Sequence, residues 1–88
     1  MTIREQIVLR LQALAPETLE LKDESSQHAG HEGSAGGGGH YHLTIVSGRF
    51  AGLNAIARHR LVYETLGDLM AGPVHALAIV ALSPEELS

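Results

Sequence analysis

From Tyr41 to Leu82 the chain spells an alternating run, a helical stripe and an uncharged apolar run in succession, and no other feature restricts its fold so tightly. In "YHLTIV", residues 41–46, Tyr41, Leu43 and Ile45 fall to one side and His42, Thr44 and Val46 to the other, the period-two pattern of a strand. "FAGLN" reads as a turn, with Asn54 placed to cap a following helix. Ile56, His59, Tyr63, Leu66 and Met70 then recur at spacings of three and four, a stripe widened by Val62 and Leu69. Gly72 and Pro73 are suited to end that helix, the glycine as a left-handed cap and the proline as a stop. "VHALAIVAL", residues 74–82, is nearly all apolar, which suits a strand covered on both faces. Strand, helix and strand in that order predict a parallel pair joined by a right-handed crossover.

The N-terminal third adds a helix and a strand. Thr2 and Glu5 have the spacing of a capping box, and Ile3, Ile7, Leu11 and Leu14 follow as one apolar stripe before Pro16 stops it. "TLELK" alternates, with Leu19 and Leu21 to one side, and its sequential neighbour 41–46 is the natural antiparallel partner. At the other end Ser83, Pro84 and Glu86 begin a last helical turn by the same capping logic. The expectation is one small α+β domain over residues 1–88, in the order α-β-β-α-β-α, with helices packed on a three-stranded mixed sheet. A chain of this size buries only about 60% of its unfolded surface. Its aromatic residues are Tyr41, Phe50 and Tyr63 alone, so aliphatic side chains must carry the core.

Residues 24–40, between the first two strands, form a long glycine- and histidine-rich connection. "QHAGHEGSAGGGGHYH", running to His42, holds four of the six histidines around four consecutive glycines. Connections of that length inside a compact domain are functional or disordered, and the glycines give this one the composition of a spacer. Its histidines suit Zn²⁺ or Cu²⁺, but a stand-alone site on such a tether carries a large ordering entropy. "GGGG" formally matches the GxxG with which K-homology domains grip nucleic-acid backbone, yet here it would join two strands rather than two helices. His40 and His42 are expected to flank the strand entrance in neutral roles, and His59 to be a satisfied boundary histidine.

Cysteine is absent, so no disulfide, thiolate nucleophile or thiolate metal ligand is available. The net charge of −4 argues against a general nucleic-acid binder. Arg49, Arg58 and Arg60 are nonetheless half of the basic residues, and they read either as a solvated helix start or as a patch for an anionic partner. No apolar run is long enough to span a membrane, and "MTIREQIVLRLQ" goes straight into a helical pattern, so a cytoplasmic location is expected. No Ser–His–acid pattern, phosphate loop or dinucleotide fingerprint is present, which predicts a non-enzyme.

Five stretches occur together here: "DES" (Asp23–Ser25), "HAGH" (His28–His31), "IVSGRFAG" (Ile45–Gly52), "RHRLVY" (Arg58–Tyr63) and "PVHALAI" (Pro73–Ile79). In these stretches the sequence resembles the BolA family. The resemblance implies a K-homology-like fold of the second topological type and a partnership with monothiol glutaredoxins, sharing a glutathione-bound [2Fe-2S] cluster. It implies His75 as one cluster ligand and, from the loop, His28 as the second, with His31 as the alternative. No cluster is expected on the isolated chain, whose state should be monomer or weak dimer. Such a cluster takes four ligands, and two imidazoles can replace two thiolates on one iron. A cysteine-free chain could supply only that nitrogen half, leaving sulfur to the glutaredoxin and glutathione. The family also implies a competing reading, a DNA-binding regulator of stress response and morphology that uses the K-homology-like surface with Arg49, Arg58 and Arg60.

Overall fold

The computed structural model describes residues 1–24 and 39–87. Helix α1 (Ile3–Leu11) opens on the expected capping box, in which the Thr2 N–H donates to the Glu5 carboxylate at 2.9 Å and the Glu5 N–H to the Thr2 hydroxyl at 3.1 Å. A 3₁₀ turn over Gln12–Leu14 and a left-handed Ala15 close it just before Pro16. Strands β1 (Thr18–Asp23) and β2 (Gly39–Val46) pair antiparallel, Leu21 facing Leu43 and Lys22 facing His42. Helix α2 (Ala55–Leu66) starts where the Asn54 side chain accepts the Ala57 N–H at 2.8 Å. Strand β3 (Val74–Leu82) then returns parallel to β2, giving the sheet order β1-β2-β3 with the second strand in the centre.

Both helices lie on one face of this sheet. Ile7, Leu11 and Leu14 from the α1 region meet Leu21, Leu43, Ile45 and Phe50, and Val62, Leu66 and Leu69 close the core from the α2 side. The opposite face carries Glu20 and Lys22 of β1, His42 and Thr44 of β2, and Ala76, Ala78 and Val80 of β3. Val80 is 39% exposed. The strand expected to be covered on both faces therefore has one open face. Its small alanines stand where a second layer of helices would have demanded large side chains.

Helix α2 departs from its predicted stripe. Ile56 and Tyr63 face solvent, at 71% and 42% exposure, while Val62 and Leu66 are fully buried. The inward row is Arg58, Val62 and Leu66, one residue out of phase with the row through Ile56, His59 and Tyr63. The reason lies at Gly67. Its φ of 57° ends the α-helix, so Leu69 and Met70 belong to a separate 3₁₀ segment (Gly67–Ala71) and do not continue the helical phase. Gly67, not Gly72, is the positive-φ cap; Gly72 has φ −146°. Arg10 locks this corner from α1, its guanidinium donating to the Leu66 carbonyl at 2.6 Å and to the Asp68 carboxylate.

A second arginine clamps the far end. Arg58 Nε donates to the Leu53 carbonyl at 2.8 Å, and its Nη1 donates to the Ala81 carbonyl at 2.9 Å and to Glu86 at 2.6 Å. Glu86 lies on the last 3₁₀ turn (Pro84–Leu87) and also accepts the N–H and the hydroxyl of the buried Ser83. Its carboxyl is held below the ordinary value of 4.5, first by the Ser83 N–H and then by the Arg58 guanidinium. A carboxyl lowered in the folded state stabilises the fold above its unfolded value, and that stabilisation is lost as pH falls through the folded one. Urea midpoints of the wild type and Glu86→Gln should therefore differ at pH 7 and converge in acid. A constant gap at all pH values would contradict the clamp.

Candidate metal centre

The candidate residues gather at the corner where β2 and β3 begin. The Gly39 N–H donates to the Pro73 carbonyl at 2.9 Å, and the Glu24 N–H to the His40 carbonyl at 2.8 Å, so three chain segments meet there. β2 begins two residues before the expected alternating run. Gly39 and His40 thus belong to the strand and not to the connection predicted over 24–40. Glycine is required at that first position, because a Cβ on Gly39 would collide with the ring of Tyr41. That ring is only 7% exposed. Burial, with the Asp23 carboxylate facing it across the pair, pushes the Tyr41 phenol above its ordinary value.

The register of β3 slips at this corner. Gly39 faces Val74, but the next residue, His40, faces Ala76. His75 is the extra residue of a β-bulge, a device that re-aims a side chain. Parity shows the consequence. Leu77 packs against the core, so strict alternation would point His75 inward and Val74 outward. With the bulge, Val74 is 2% exposed and buried, and His75 is turned to solvent on the open face.

There it meets a neighbour that the spacing assigned only a neutral role. The rings of His40 and His75 have centroids 5.2 Å apart and planes tilted by 39°. Gly-His in "GGGGH" and Pro-Val-His in "GPVH" both put a histidine just inside a strand after a backbone breaker, which was the available sequence signal. The slip that brings the two together has no signature in the pattern. His42 lies on the same open face, between Lys22 and Ala78. Among the described residues no group of three or more His, Asp or Glu gathers around a common point. His28 and His31, the expected loop ligands, lie outside the described residues.

The remaining candidates fall elsewhere. His59 is half-buried at the rim of a groove of about 360 Å³ beside Arg58, Ala81 and Glu86. Ile56, His59, Arg60 and Tyr63 line a shallower hollow of about 310 Å³ on the outer side of α2. Arg49 and Arg60 are exposed, but Arg58 is not a surface cation: only 12% of its side chain is accessible, and its donors serve the clamp.

The comparisons with known proteins agree with this architecture. The family model for BolA-like proteins matches residues 11–86. The chain belongs to the BolA family. Mouse BolA-like protein 1 is 51% identical to it over 75 residues, covering 85% of this chain and 53% of that protein. The chain thus spans about half the length of the first curated BolA relatives it matches. The DNA-binding transcriptional regulator BolA of Vibrio cholerae is 46% identical over 71 residues, 81% of this chain and 64% of that protein. Among solved structures, the BolA domain of SufE1 from Arabidopsis thaliana superposes with a TM-score of 0.81 at 41% identity, covering 98% of each chain. The α+β fold read from the hydrophobic pattern is therefore that of the BolA structures. No helix among the described residues is long and apolar enough to cross a membrane.

In this BolA domain Arg58 is a tertiary tie. Arg58→Ala should lower unfolding free energy by about 2 kcal/mol, because it leaves part-buried carbonyls without donors. Arg49→Ala and Arg60→Ala should each stay within about 0.5 kcal/mol. Equal effects of all three in chemical denaturation would show that Arg58 is no more embedded than the others.

Proposed function

We propose that this BolA-family chain is a non-enzymatic adaptor that binds a monothiol glutaredoxin and co-ligates a glutathione-bound [2Fe-2S] cluster through histidine. The observation that carries the reading is the bulge that turns His75 out of the core and into solvent. An imidazole exposed on a rigid strand is a ready nitrogen donor. The absence of cysteine leaves the sulfur donors to the partner and its glutathione. His28 would supply the second nitrogen, with His31 as the alternative. The connection leaves from Glu24, which is bonded to His40 at this same corner. His28 is four residues further on, a span of up to about 14 Å of extended chain. The cluster is cargo here; the chain's own residues hold it and orient the partner toward it. A location in the cytoplasm is part of the same reading.

Reconstitution of the mixed pair with iron, sulfide and glutathione tests this proposal. The wild-type chain should develop visible absorption and circular dichroism that differ from those of glutaredoxin alone, and His75→Ala should abolish the difference. Unchanged spectra with His75→Ala would remove that residue as a ligand.

The Vibrio cholerae relative's name favours a second reading, a DNA-binding regulator. With Arg58 committed to the clamp, only Arg49 and Arg60 of the expected trio remain for phosphate, on a chain of net charge −4. Binding carried by so few cations should be weak at any salt and should lose only about tenfold between about 50 and 200 mM. Sequence-dependent binding that survives at the higher salt, measured by fluorescence anisotropy, would raise this reading above the adaptor.

A further inference from the structure

We propose that His40 and His75 form a two-nitrogen chelate that holds one divalent first-row transition-metal ion, with Zn²⁺ as its test case, on this chain alone. The separation of the rings carries the inference. At a Zn–N distance of about 2.0–2.1 Å, the centre of a bound imidazole lies about 3.2 Å from the ion. Two such rings spanning a tetrahedral angle then have centres about 5.2 Å apart. The separation across the β2–β3 corner is 5.2 Å. The 39° tilt keeps the rings from stacking face to face, an arrangement that would offer an ion no shared position.

The support of the two donors matters as much as their distance. His40 is in β2 and His75 is the bulged residue of β3, and these strands are hydrogen-bonded neighbours on both sides of the slip. Their backbones are therefore already ordered when an ion arrives. Each backbone residue that is already ordered spares the site about 1–2 kcal/mol of entropy at binding. His75 is exposed and His40 half-buried, so water can complete the coordination, and imidazole donors suit Zn²⁺, Cu²⁺ and Ni²⁺ alike.

The chelate stands independently of the cluster reading. Only one consequence rests on that reading: because His75 belongs to both, an ion seated here and a shared cluster exclude each other. The test therefore uses the full chain without glutaredoxin, so its failure leaves the adaptor proposal standing, and the reverse also holds. Calorimetric titration with ZnCl₂ alone should show one saturable equivalent below about 1 mM. His40→Gln and His75→Gln should each weaken it at least tenfold, and the double change His28→Gln/His31→Gln should alter it less than threefold. In the wild type, the imidazole NMR signals of His40 and His75 should move together during the titration, a readout that does not depend on any variant folding. Three results would overturn the chelate: no saturation below about 1 mM, loop substitutions as damaging as His40→Gln, or imidazole shifts confined to His28 and His31.

Discussion

The parallel pairing of β2 with β3 is the constraint on which the rest of this domain depends. β2 is the central strand, bonded to β1 on one side and β3 on the other, and Leu43 and Ile45 at its middle are wholly buried. A parallel partner obliges the chain to cross over the sheet, and α2 is that crossover. It brings the start of β3 beside the start of β2, at the same end of the sheet as the end of β1, from which the long connection departs. One extra residue in the ladder then decides which of two side chains faces the core. Val74 goes in and His75 goes out, so an apolar side chain fills the core position and an imidazole reaches solvent.

The two arginine clamps show how a small core with few aromatic residues is closed at its ends. Arg10 ties α1 to the glycine break after α2, and Arg58 ties the start of α2 to β3 and to the last turn. In both, a guanidinium satisfies carbonyls that the secondary structure leaves unpaired, a role suited to its rigid fork of donors. The consequence for function is subtractive. Of the arginines near α2, the one whose charge is neutralised internally cannot serve an external anion. The surface left around Arg60 is mixed, with Ile56 and Tyr63 beside it, rather than a uniform basic patch.

Nitrogen donors on a cysteine-free domain make chemical sense only with a source of the remaining ligands. Two imidazoles satisfy half of a four-coordinate centre, and the other half must come from water, a small thiol or a partner. Beside His40 and His75 the open face of the sheet carries Ala76, Ala78 and Val80 from β3, partly covered polar residues from β2, and Glu20 and Lys22 from β1.

How much of this was legible beforehand differs from element to element. The capping box at Thr2 and Glu5, the Asn54 cap and the alternation of β1 and β2 follow from local spacing, because each is enforced within a few residues by backbone hydrogen bonding and periodicity, and the parallel return of β3 follows from the strand–helix–strand order through the crossover rule. The phase of α2 was not legible, since the choice between the rows through Tyr63 and Val62 depends on where Gly67 breaks the helix and on which row meets the sheet. Neither was the bulge, because a register is a relation between two strands and leaves no period in either. The sequence by itself determined that the chain is a three-stranded α+β domain with six histidines and no cysteine. Only the tertiary structure decided that His75 faces water, that His40 stands 5.2 Å from it and that Arg58 is turned inward, because each depends on residues far apart in the chain being packed side by side.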